Sequence, residues 1–171
     1  HKHLIIDDLR SVIEARLEAA LKDNPRRIDY FERYERIIES YNSEQDKAMI
    51  EKTFNDLISL SRDLDDKQKE WVREGFQNQQ QMTVFEMLFK DTLTPAEIRQ
   101  VKSVAIEMVS IIEGRLANMV RWTDKAETRD AVRVIVRNEV YKLPETSYPD
   151  EVLGDCIAEI FEYFYERDLA A

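Results

Sequence analysis

The chain has 171 residues, enough for one domain with its own core, and it carries only three glycines and four prolines. Its formal net charge is -10, with 43% hydrophobic and 35% charged residues; this is the composition of a soluble helical protein, and it argues against a large nucleic-acid face, which needs clustered Lys and Arg, while leaving room for a small local contact. The single cysteine, Cys156, excludes an internal disulfide, and no apolar run approaches the length of a membrane span.

The chain opens His1-Lys2-His3-Leu4, without an initiator Met, and enters a helical pattern at once. It therefore reads as a fragment cut from a longer protein, with 1–171 as a single helical domain. Residues 4–22 predict a helix, with Ile5, Leu9, Val12, Ile13, Leu17 and Leu21 at helical spacing. Asn24 and Pro25 suit the cap and first position of a second helix, whose face is marked by Ile28, Phe31, Tyr34, Ile38 and Tyr41. Asn42-Ser43 reads as a turn and cap, followed by a third helix to about Ser61 that buries Ile50, Phe54, Leu57 and Ile58.

Asp65-Asp66 is placed to cap a fourth helix through Trp71, Val72 and Phe76. The run Gln77-Asn78-Gln79-Gln80-Gln81 suits either a continued helix or an exposed loop, and Thr83 can open a short apolar helix over 84–89. Thr94-Pro95-Ala96-Glu97 has the cap, the proline and the glutamate of a capping box. It opens a helix carrying Ile98, Val101, Ala105, Met108, Ile112 and Leu116, with Met119 as its furthest reach. A helix from Trp122 to about Tyr141 follows, then a connector over 143–149, then a last helix with Leu153, Cys156, Ile157, Ile160, Phe161 and Phe164 on its apolar side. With neither hairpin dipeptides nor sustained alternation, the expected fold is all-α, an array of roughly seven packed helices with no sheet.

Catalytic signatures are missing: there is no phosphate loop, no GxGxxG, no HExxH, no CxxC and no GxSxG. His1 and His3 could bind a metal weakly but are expected to be end residues, and Asp7-Asp8 and Asp65-Asp66 to be caps or solvated charge. Cys156 lies on an apolar stripe and is expected to be a structural thiol. No catalytic, cofactor or metal residue is assigned.

The most distinctive segment is 121–137. Arg121, Lys125, Arg129, Arg133 and Arg137 recur every four residues, beside an apolar face of Ala131, Val132, Ile135 and Val136. In a continuous helix they form one row that winds by about 40° per step. Three readings stay open. The cations pair with the acidic last segment of the same chain, they meet another protein, or they touch nucleic-acid phosphates. Asp124, Glu127 and Asp130, interleaved on the same segment, weaken the third. Trp122 is the expected anchor, and Lys125, Arg129, Arg133 and Arg137 are the candidate pairing or partner residues. Tyr163 and Tyr165, in the Phe161-Glu162-Tyr163-Phe164-Tyr165 cluster, join them as residues able to bridge core and surface through their hydroxyls.

Two stretches carry a family resemblance. One is Asn24-Pro25-Arg26-Arg27-Ile28-Asp29-Tyr30-Phe31-Glu32-Arg33-Tyr34, continuing to Ile37-Ile38-Glu39-Ser40-Tyr41-Asn42. The other is Trp122-Thr123-Asp124-Lys125 with Thr128, Arg129 and Arg133, closed by the connector from Pro144 to Tyr148 and an aromatic final helix. Together they resemble the C-terminal helical region of the R subunit, the motor and endonuclease subunit, of bacterial type I restriction-modification enzymes. The resemblance implies a parent that is an ATP-driven DNA translocase with a Mg²⁺-dependent nuclease, while no nuclease or ATPase residue carries over to this chain. It implies ATP and Mg²⁺ as cofactors of the parent only, and the methyltransferase and specificity subunits as partners. It also implies DNA contact through the parent complex, no membrane, and a bacterial cytoplasmic location. The expected role is a non-catalytic docking domain. The alternatives are a DNA-contacting helical module along the translocation path and a free-standing helical adaptor.

Overall fold

Helix caps divide the chain where short polar side chains can satisfy free backbone amides. The computed structural model describes residues 2–170, so His1 lies outside the described residues. These hold seven α-helices of ten residues or more, one single helical turn, two 3-10 turns and no strand. The all-α expectation is borne out. In order, the helices are α1 (Lys2–Asp23), α2 (Ile28–Ser43), α3 (Lys47–Gln68), the single turn α4 (Glu70–Arg73), α5 (Gln79–Leu88), α6 (Pro95–Leu116), α7 (Ala126–Val140) and α8 (Asp150–Ala170). No helix among the described residues is long and apolar enough to cross a membrane. The chain divides into two compact units, His1–Arg73 and Glu74–Ala171, each with its own core.

The first unit is α1, α2, α3 and the α4 turn. Its core gathers Ile6, Ile13, Leu17 and Ala20 of α1, Tyr34, Ile38 and Tyr41 of α2, and Leu57, Leu60 and Leu64 of α3. On α1 the inward stripe starts one residue later than the sequence pattern suggests. Ile6 is fully buried, whereas Ile5 is 37% and Val12 49% exposed. One residue is a 100° rotation, so Ile6, Ile13, Leu17 and Ala20 line up at steps of seven, four and three, and Ile5 and Val12 fall beside the line. Asn24 caps as expected, its side chain accepting from the Arg26 amide at 2.9 Å, but the turn that follows, Pro25–Arg27, is 3-10 before α2 begins.

Two expected boundaries move. α2 runs through Asn42 and Ser43, and Asp46 caps α3, accepting from the Met49 amide at 2.7 Å. Asp46 has the extended backbone that a cap needs (φ -74°, ψ 169°), three residues before the amide it satisfies. Asp65 and Asp66 are helical residues inside α3 and not a cap. Asp65 instead receives Arg16 from α1, at 3.4 Å, and Arg16 also donates to Ser61 at 2.9 Å. Arg33 of α2 reaches Asp63 at 2.8 Å. Trp71 and Val72 form only the α4 turn, and Phe76 is buried in the connector beyond it, just past Gly75, whose φ of 83° suits a residue without a Cβ.

The second unit is α5 to α8. The glutamine run proves to be a helix start. Asn78 caps α5 by accepting from the Gln81 amide at 2.9 Å, while the Gln81 side chain accepts from the Gln77 amide at 2.8 Å. This near-reciprocal arrangement holds the buried Gln81, Gln79 is buried beside it, and Thr83 lies buried in mid-helix. Thr94 and Glu97 form the expected capping box, at 3.2 and 3.0 Å, and Ser147 donates to the same glutamate. These hydrogen bonds, from Ser147 first, hold the Glu97 carboxyl below its usual range. α6 is the spine of the core, with Val101, Val104, Ala105, Met108, Val109 and Ile112 all buried. It ends at Leu116, one turn short of the furthest reach expected.

Candidate functional site

Past Leu116 the backbone breaks its helix, and the break decides what the 121–137 segment can do. Arg121 takes the left-handed conformation (φ 53°, ψ 59°), which disfavours a side chain with a Cβ by about 1–2 kcal/mol. Its guanidinium closes on Asp124 at 3.0 Å, which holds the turn. Trp122–Asp124 is a 3-10 turn, Lys125 is extended, and α7 starts only at Ala126. The five-cation row is therefore not one helical row. Only Arg129, Arg133 and Arg137 share α7, because the row needs an unbroken helix and 121–125 is not one.

Trp122 is 5% exposed and sits edge-on to two rings of α8, Phe161 at 5.9 Å and Tyr165 at 6.2 Å between centroids. Aromatic pairs in this orientation add about 0.5–1.5 kcal/mol each beyond the area they bury. Phe161 also takes Arg133, whose guanidinium carbon lies 4.4 Å from the ring centroid. Arg133 also pairs with Asp130 of its own helix at 3.0 Å. Arg129 donates to the Thr123 carbonyl at 2.7 Å, tying α7 back onto the 3-10 turn. Thr128 adds bonds to the carbonyls of Trp122 and of Lys125. Thr123, 3% exposed, donates from both its amide (3.2 Å) and its hydroxyl (2.6 Å) to Asp168 of α8.

The expected residues thus fall into two groups. Trp122, Arg129, Arg133 and Tyr165 come together in one cluster joining the 3-10 turn, α7 and α8. Tyr163 is buried on another side of α8, with its ring against Phe164 at 5.2 Å and Arg167 over it at 5.6 Å. Lys125 and Arg137 are exposed. The acid of the last helix that reaches this region is Asp168, and it holds Thr123. A threonine gives no charge signal in a sequence, so charge counting misses this link.

A second feature escaped the pattern reading. On α7, Val134 is 43% and Tyr141, at its C-terminal cap, 60% exposed, and Arg137 lies between them at helical spacing. Burial of Val132, Val136 and Val140 turns this mixed apolar and cationic face outward. Cys156 is half-buried, and burial pushes its thiol up from the ordinary value, away from the reactive thiolate. Among the described residues no group of three or more His, Cys, Asp or Glu could hold a metal ion. The His1–His3 pair falls outside this test, and His3 shares a 2.5 Å hydrogen bond with the Tyr41 hydroxyl.

Residues 1–166 match the model of a family described as "Type I restriction enzyme HindI endonuclease subunit-like, C-terminal". No curated protein and no solved structure matches the chain. The family match spans both stretches that carried the resemblance, the Asn24 to Asn42 segment and the segment from Trp122 to the final helix. By that match over nearly its whole length, the chain belongs to the family of C-terminal regions of HindI-like type I restriction enzyme endonuclease subunits.

Proposed function

We propose that this helical region docks the endonuclease subunit onto the methyltransferase and specificity subunits of its own system and takes no part in bond cleavage. The observation that carries the reading is the outward face of α7. Val134, Arg137 and Tyr141 form an exposed apolar and cationic surface on a helix whose Arg129 and Arg133 are engaged within the chain. Tyrosine and arginine against aliphatic surface is the composition of a protein-binding patch, and Arg side chains already held by a carbonyl and an aromatic ring are poorly placed to follow a phosphate backbone. In this reading ATP hydrolysis, Mg²⁺ and DNA cleavage belong to other parts of the parent, which acts in the bacterial cytoplasm.

The test is capture of the endonuclease subunit by a tagged methyltransferase–specificity complex. The intact subunit is captured, and one lacking these 171 residues is lost. Val134→Asp with Tyr141→Asp weakens capture while the helix signal in circular dichroism stays unchanged. Equal capture of intact and truncated subunits defeats the proposal. Direct DNA contact is the rival reading, favoured by the exposed Lys125 and Arg137. It requires salt-sensitive DNA binding by the isolated chain, and charge reversal at Lys125 and Arg137 must then abolish that binding without unfolding. A free-standing adaptor, the remaining reading, requires a start codon close upstream of His1 in the gene.

A further inference from the structure

Between α1 and α2 of the first unit lies an open groove of about 910 Å³. The two helices run back along one another from the Asn24 turn, but each packs on α3 far more than on its neighbour, which leaves the space between them. The floor is apolar: Leu21 from α1, and Phe31, Tyr34 and Ile38 from α2. The walls are acidic. Glu14 and Glu18 stand one turn apart on α1, and Glu35 and Glu39 one turn apart on α2.

Arg10 meets the groove only at Tyr34 and Glu14, and three other arginines of the unit are directed elsewhere. On α2, Arg33 turns toward α3 and pairs with Asp63, and on α1 Arg16 turns toward α3 and pairs with Asp65. Arg36 lines a separate recess with Lys52 and Asp56. Within the groove, Glu14 receives the Tyr34 hydroxyl and lies 4.0 Å from Arg10. Glu18, Glu35 and Glu39 are exposed and have no cationic partner among the described residues. Both helices thus present carboxylates along an apolar trough, a charge pattern that a cationic partner complements.

We infer that this groove seats a cationic amphipathic helix from another polypeptide, with apolar side chains on the Leu21–Phe31–Ile38 floor and Lys or Arg meeting Glu18, Glu35 and Glu39. An apolar stripe laid in a hydrophobic trough is a recurrent way to recognise a helix, and the flanking charges set its register and choice of partner. The inference deepens the docking reading and rests on it for which protein supplies the helix. The chemistry of the groove rests on its own residues.

The experiment titrates the 171-residue chain with a labelled amphipathic peptide of leucine and lysine, about five turns long, and with its leucine–glutamate counterpart, read by fluorescence anisotropy. The lysine peptide binds and the glutamate peptide does not. The triple variant Glu18→Lys, Glu35→Lys, Glu39→Lys loses about tenfold or more in affinity. A control with the same net charge, Asp155→Lys, Glu159→Lys, Glu166→Lys on α8, stays within about twofold of the parent, which separates the groove from general attraction to an acidic protein. The gentler Glu→Gln triple variant gives a smaller loss in the same direction, so a folding defect in the lysine variant leaves the question decided. Equal losses in groove and control variants, or no binding of the lysine peptide, overturn the inference. Self-association of the chain that the groove variant abolishes overturns the assignment to a different polypeptide. Placed in the full endonuclease subunit, the groove variant separates the two readings. If the methyltransferase–specificity complex captures parent and variant equally, docking stands and the groove fails. If it captures neither the parent nor the variant, docking fails and the peptide titration alone decides the groove.

Discussion

The two units are built from the same kinds of helix but are held by different forces. In the first, α1 and α2 are fastened to α3 by a core of aliphatic side chains with two buried tyrosines and by partly exposed ion pairs, Arg16–Asp65 and Arg33–Asp63. In the second, buried rings and desolvated hydrogen bonds lock the connectors. Trp122 wedges against Phe161 and Tyr165, Thr123 binds Asp168, and the Tyr148 hydroxyl donates to the Leu88 carbonyl beneath the ammonium of Lys90. Exposed ion pairs hold helices in place while contributing about 0–1 kcal/mol each, whereas a buried ring or a buried hydrogen bond to a charge contributes several times more. Loosely joined helices leave a groove that a partner can fill, and wedged ones leave a finished core with an outward face.

Substitutions can break this contrast. Trp122→Ala removes the largest wedge and should lower stability by about 3–5 kcal/mol, with the earliest hydrogen-exchange losses in α7 and α8. Next, Asp168→Ala leaves the buried Thr123 amide and hydroxyl without their acceptor and should cost about 1.5–3 kcal/mol by urea denaturation. Thr94→Ala removes the side-chain half of the α6 capping box, at about 1 kcal/mol, read as faster exchange at the Glu97 amide. Asp63→Ala, in the first unit, breaks an ion pair of the same 2.8 Å length as an ideal one, yet should cost only about 0–1 kcal/mol because both partners are solvated. A loss above that of Asp168→Ala would erase the distinction between the units.

One property is shared and sharpens the comparison through pH. Tyr34 in the first unit and Tyr148 in the second are both pushed up to about 12, each chiefly by burial, with the hydrogen bond to Glu14 adding to the effect at Tyr34. A phenol whose folded value exceeds its ordinary 10.0 contributes stability that is whole below pH 10 and is lost as pH rises through about 12. Tyr34 and Tyr148 should therefore ionise late in a tyrosinate absorbance titration. Tyr34→Phe and Tyr148→Phe should each remove one late step, and loss of neither late step on these substitutions would contradict both burials.

The fold class and most helices were legible because a helix writes itself locally, in 3.6-residue periodicity and in caps such as Asn24 and Thr94-Pro95-Ala96-Glu97. Boundaries failed where two polar clusters competed for one cap, as Asn42-Ser43 did with Asp46, or where acids looked like a cap and proved to be partners of a distant cation, as Asp65 did with Arg16. The Trp122 segment shows the limit most clearly. Its four-residue spacing pointed to the right family, and its tryptophan to an anchor. The cations did not form a row, because Arg121 adopts a left-handed turn that periodicity cannot foresee. Thr123–Asp168 and the rings around Trp122 were equally hidden, since no local rule says which side chain forty-odd residues away will arrive.

The sequence by itself determined that this protein is helical, acidic and a member of a restriction-enzyme endonuclease family, because composition, periodicity and motif spacing are all carried along the chain. Only the tertiary structure decided which charges are used up and which remain. Arg129 binds a carbonyl and Arg133 lies over a ring, while Glu18 of α1 and Glu35 and Glu39 of α2 line an apolar groove without a cationic partner among the described residues. Charge is a property of residues, but its satisfaction depends on distance, and distance is set by packing.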